Sequence, residues 1–137
     1  MQGIPYAIAP AGKLRWHEPI PLFYDPSNCP SELDAHRYGS KCVQLDSSSA
    51  LTGSEDCLFL NIWTPADIDL KTSRLDVMVH FHDGGLMTGS GHEPCKYANK
   101  MSDFLLMLHI SLELSQVGPN VQQMFDCAAA FVCTNHI

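Results

Sequence analysis

Apolar residues along this chain gather in two short strand-like runs, residues 57–63 (CLFLNIW) and 77–81 (VMVHF), rich in branched and aromatic side chains. Both are too short for a typical helix, and a polar stretch separates them. The second run ends directly in His82-Asp83-Gly84-Gly85, a polar turn followed by paired glycines. Glycine at a strand end frees the backbone to take positive φ and leaves its N–H groups open to a ligand oxygen. Taken alone, such a pair marks an ordinary turn.

Before these runs the pattern is broken and extended. Gly3, Pro5, Pro10, Gly12, Pro19 and Pro21 leave little room for a helix in the first two dozen residues. Arg15 and Trp16 read as structural, a packed aromatic beside a guanidinium that reaches the surface. After the glycine turn the pattern changes. Ser102-Asp103 is placed to cap a helix over residues 104–114, which Gly118-Pro119 then breaks. The Ala-rich run at 124–133 predicts a second helix. Residues 104–108 are apolar on every side and therefore require burial.

Length and charge narrow the function classes. A chain of 137 residues allows one domain at most, and a net charge of −7 without a Lys/Arg cluster argues against nucleic acid and anionic membrane surfaces. No apolar run approaches the roughly 18 residues of a membrane-spanning helix. The N-terminus has neither the basic region nor the apolar core of a signal peptide. Six cysteines fit no zinc spacing and read better as disulfide formers, which suits an oxidising compartment, secreted or in the endoplasmic reticulum. Seven histidines add no metal site: His80 and His82 can face the same way, but two ligands without a third make a poor zinc centre. Glu55 and Asp56 are adjacent, so on a strand they point to opposite faces; they read as a polar strand entry rather than an acid/base pair.

The segment Glu55-Asp56-Cys57-Leu58-Phe59-Leu60-Asn61-Ile62-Trp63-Thr64-Pro65 resembles a signature of the type-B carboxylesterase/cholinesterase family, and VMVHFHDGGL with Gly89-Ser90-Gly91 resembles that family's oxyanion-loop segment. Two ordered matches at the right separation carry the resemblance, and GIPYA at residues 3–7 and the run from Asp34 to Gln44 extend it over about residues 3–97. The implied fold class is α/β, the N-terminal portion of an α/β-hydrolase sheet. Residues 1–97 form a partial domain of strands and oxyanion loop, and 98–137 a divergent, helical tail that replaces the family's next core strand.

The resemblance also implies roles. Cys42 pairs with Cys57; closing a loop of about 15 residues stabilises by roughly 3 kcal/mol. Gly84 and Gly85 match the glycines whose N–H groups form the oxyanion hole, and His82 matches a structural histidine of that loop. Asp83 stands where the family has its first loop glycine. An ionised carboxylate there repels a developing oxyanion, or accepts a proton from water, or simply suits a turn; the last reading is favoured. A catalytic triad is absent: no serine has glycine two before and two after, and Ser90 in Thr-Gly-Ser-Gly comes closest. The expectation is an N-terminal part of a serine carboxylic-ester hydrolase, inert alone, with a small carboxylic ester as substrate of the complete enzyme and no cofactor or metal. The alternative is a non-catalytic adhesion or binding relative with a protein partner. The two strands, short of neighbours, are expected to present open edges that invite aggregation.

Overall fold

The computed structural model describes residues 1–22, 33–67, 75–85 and 87–92, together with the backbone of 106–110. Six strands are present among them: β1 (Ile4–Pro5), β2 (Gln44–Leu45), β3 (Leu51–Thr52), β4 (Phe59–Trp63), β5 (Val77–Phe81) and β6 (Leu106–Ile110). A single 3-10 turn at Gly12–Leu14 accompanies them.

Four strands form one sheet in the order β1-β4-β6-β5. β4 lies inside the sheet and is buried on both faces: Leu60, Asn61 and Ile62 are buried, with Phe59 and Trp63 half-buried at its ends. β1 pairs antiparallel with β4, placing Ile4 opposite Leu60. β6 pairs antiparallel with β4 and parallel with β5. One row of the sheet runs Asn61, His109, His80, and the adjacent row runs Ile62, Leu108, Val79. β2 and β3 make a separate antiparallel pair closed by the Asp46–Ala50 turn.

The core sits under β1 and β4. Ile4, Tyr6, Ala7, Ala35, Cys42, Cys57, Leu58, Leu60 and Ile62 are buried, with Leu22, Leu75 and Phe81 packed against them. β5, at the sheet edge, is far more open: Val77, Met78 and Val79 are 50%, 36% and 37% exposed. β5 thus lies at the sheet edge as expected, whereas the run holding β4, also expected to have an open edge, is flanked by β1 and β6.

Two expectations are corrected. The helix over residues 104–114 gives way to strand β6 at Leu106–Ile110. A short run that is apolar all round suits a strand flanked on both sides as well as a buried helix, and periodicity does not separate them. Hydrogen bonding to β4 and β5 on its two sides decides the matter. The second helix, at 124–133, lies outside the described residues. Trp16 is also not packed: it is 73% exposed and takes φ of 65°. Its neighbour Arg15 holds Glu55 in an ion pair at 2.6 Å, and its guanidinium lies 5.9 Å from the Trp16 ring. Glu55 thus lies in an ion pair four residues before β4 begins, rather than at the strand's entry.

Candidate functional site

The candidate site is the loop that leaves β5, residues 82–91. His82 follows the strand directly, and its Nδ1 lies 2.8 Å from the Asp83 carbonyl. A carbonyl oxygen only accepts, so Nδ1 carries the proton in this contact. Asp83 is exposed and is not among the residues with positive φ. The backbone at position 83 therefore makes no demand for glycine, and an aspartate is accommodated without strain.

Gly84 and Gly85 do make that demand, with φ of 118° and 61°. At Gly84 a Cβ would run into the Thr88 carbonyl, whereas at Gly85 nothing lies within 4 Å of that position. The Gly84 carbonyl is held inward, accepting the N–H groups of Met87 at 3.1 Å and Thr88 at 3.2 Å. Gly89, with φ of 110°, folds back on the start of the loop, where a Cβ would meet the Asp83 oxygen and His82 Nδ1, each at 2.5 Å. The loop is a tight turn with one bare, open backbone face at Gly85.

Two side-chain amides from elsewhere in the chain fix its far end. The Gln44 Oε1 accepts the Gly89 N–H at 2.9 Å, and its Nε2 donates to the Gly89 carbonyl at 2.9 Å and to the Cys42 carbonyl at 3.0 Å. The buried Asn61 donates through Nδ2 to the Gly91 carbonyl at 3.1 Å and accepts the Gly3 N–H at 2.9 Å. Cys42 and Cys57 form the disulfide implied by the resemblance, with Cα atoms 4.9 Å apart, so Gln44 emerges from a covalently closed loop. Sequence reasoning missed Gln44 and Asn61. An asparagine amid FLNIW was a legible signal, because a buried polar side chain in a strand must be hydrogen-bonded.

Ser90 is buried, and its hydroxyl accepts the His92 N–H at 3.2 Å. It closes a turn. His92 in turn donates through Nε2 to the Gly39 carbonyl and packs on Tyr38, with ring centroids 4.9 Å apart. Among the described residues no group of three or more His, Cys, Asp or Glu is arranged to hold a metal ion, and no helix is long and apolar enough to cross a membrane. His80 and His82 bring together no third ligand there.

The fold is part of that of the α/β-hydrolase esterases. The structure is similar to that of a p-nitrobenzyl (PNB) esterase, with a TM-score of 0.61 and 32% identity, covering 82% of this chain and 22% of that one. A sequence model of the carboxylesterase family matches residues 1–104, and the chain belongs to that family. It is similar to the fumonisin B1 esterase of Sphingopyxis macrogoltabida, at 38% identity over 96 residues, 67% of this chain and 17% of that enzyme. The para-nitrobenzyl esterase of Bacillus subtilis (strain 168) is 36% identical over 107 residues, 74% of this chain and 20% of that enzyme. The chain thus spans about a fifth of the length of the curated relatives it matches.

Proposed function

We propose that this chain supplies the oxyanion-loop portion of a serine carboxylic-ester hydrolase. The observation that carries the reading is the turn at the end of β5, where Gly84 and Gly85 both take left-handed backbone conformations and Gly85 is open on its outer side. Membership of the carboxylesterase family supports it. When a serine oxygen attacks an ester carbonyl, charge develops on the carbonyl oxygen. Backbone N–H donors fixed beforehand stabilise that charge without reorganising during the reaction. Gly84 and Gly85 provide the donors, and His82 and Asp83 shape the loop that holds them. The substrate class is a small carboxylic ester.

The chain contains no Gly-x-Ser-x-Gly sequence, so no nucleophile of that type is available and no covalent step begins on it alone. A p-nitrophenyl ester assay of the purified chain should give no turnover sensitive to a serine-directed organophosphate; such turnover would overturn this half of the proposal. The loop's role is tested by placing residues 77–91 in a complete carboxylesterase in place of the corresponding segment. The chimera should hydrolyse the ester, and Gly85→Pro, which removes the N–H, should lower kcat on the order of 100-fold or more. An unchanged kcat in a folded chimera would refute the assignment.

A further inference from the structure

We infer that Gln44 is a positioning residue for the glycine loop, holding Gly89 from the disulfide-closed segment and thereby setting the direction of the Gly84–Gly85 backbone. The inference rests on the oxyanion reading for its catalytic meaning, though the clamp itself is structural. The Gln44 carboxamide reads both backbone groups of Gly89, accepting its N–H and donating to its carbonyl, each at 2.9 Å. A paired donor and acceptor fixes the orientation of a peptide plane as well as its position. Gly89 sits against His82 Nδ1 and the Asp83 oxygen so closely that a Cβ would be excluded. Any drift of Gly89 therefore shifts the two residues that lead into Gly84.

On its other side, Gln44 is anchored two residues after Cys42. Its Nε2 also donates to the Cys42 carbonyl at 3.0 Å, and the Cys42–Cys57 disulfide ties that segment to the start of β4. Gln44 also pairs with Thr52 across the β2–β3 ladder. The amide is thus held by a covalent closure and a backbone ladder, and it holds the loop in turn.

The test is site-resolved amide exchange on the chain as it stands. Gln44→Ala should raise the exchange rate of the Gly89 amide at least about tenfold, since its acceptor is gone. Backbone bonds remote from the clamp, such as Tyr6 N–H to the Leu58 carbonyl and Ile62 N–H to the Met1 carbonyl, should change less than about threefold. A rise shared equally by all these amides would overturn the inference, since Gln44 would then support the fold generally. No change at Gly89 would overturn it as well. Gln44→Glu supplies an independent readout. Ionised, the new carboxylate faces the Gly89 and Cys42 carbonyls without a donor; protonated, it regains one. Protection of Gly89 in this variant should therefore recover as pH falls through the ordinary glutamate range, and a flat profile counts against the clamp.

In a complete carboxylesterase carrying residues 42–91, Gln44→Ala should lower kcat with little change in KM. Loss of Gly89 protection with kcat unchanged would overturn the oxyanion reading while leaving the clamp in place, so the two failures are distinguishable.

Discussion

Replacing Asn61 tests whether polar ties, rather than apolar burial alone, hold the N-terminus and the glycine loop to the sheet. Asn61 is 2% exposed at the middle of β4, and its one side chain satisfies the Gly3 N–H and the Gly91 carbonyl. Leucine has nearly the same shape and suits the apolar neighbours. In Asn61→Leu two backbone groups lose their partners, at about 1–3 kcal/mol each, the lower end applying to the partly buried Gly3 contact. Burying leucine in place of an amide returns about 1.5–3 kcal/mol. With about 1 kcal/mol lost at Gly3 and about 2 at the Gly91 carbonyl against about 2 returned by leucine, a net destabilisation of about 1 kcal/mol is expected. With a urea slope of about 1.5 kcal/mol per molar, the midpoint falls by roughly 0.7 M.

Fluorescence of Trp63, at the end of the same strand, reports the transition. A midpoint equal to or above that of the parent chain would refute the reasoning, because it would mean that the amide contributes less than a methyl-rich side chain of equal volume. Asn61→Asp separates hydrogen bonding from packing. Its carboxylate still accepts from Gly3 but, once ionised, opposes the Gly91 carbonyl in a buried site, so its folded pKa lies above the ordinary aspartate value. That variant should be most stable below the ordinary aspartate pKa and lose stability as pH rises through the raised one.

Three further outcomes are expected. Gly84→Ala should destabilise more than Gly85→Ala: both impose a left-handed backbone costing about 1–2 kcal/mol, but only the first also drives a Cβ against the Thr88 carbonyl, and equal losses in thermal melting would contradict this. Asp46, whose Oδ1 accepts the Ser48 hydroxyl, the Ala50 N–H and the Ser48 N–H, is held below the usual aspartate pKa by these bonds in that order, with help from Lys41. Its support for the β2–β3 turn is thus present above the ordinary aspartate pKa and lost as pH falls through the lowered one, a loss that NMR titration of the Ala50 amide should follow and that Asp46→Ala should abolish. Val79→Lys on the open β5 edge should reduce the aggregated fraction in light scattering, and an unchanged fraction would place the aggregating surface elsewhere.

How much of this was legible in the sequence depends on whether local pattern or long-range pairing decides each feature. β5 matches its expected bounds at Val77–Phe81, because polar residues and glycines delimit a run whose composition favours a strand. β4 begins at Phe59 rather than at Cys57, which is instead held by the disulfide to Cys42. The pairing of those cysteines came from family resemblance, since six cysteines by themselves leave many pairings open. β6 was misread for a physical reason. Its identity as a strand comes from the partners β4 and β5, both distant in sequence, and the all-apolar residues 104–108 carry no period from which those partners can be read.

The same distinction governs the candidate site. The two glycines were visible as a pair, yet the far end of their loop is held by contacts to Gly89 from Gln44, 45 positions earlier, and to Gly91 from Asn61, 30 positions earlier. A turn of flexible residues has no preferred direction of its own, and ordering it costs backbone entropy of about 1–2 kcal/mol per residue. A loop whose use depends on where its N–H groups point must therefore be oriented from outside. Here that work falls to two carboxamides, each bonded to backbone on both its oxygen and its nitrogen. A carboxylate at either position accepts but does not donate, and a lysine donates but does not accept; the amide does both, from two separate atoms, without a charge to bury. Residue type at positions 44 and 61 is consequently set by the loop they hold, even though neither residue lies within it.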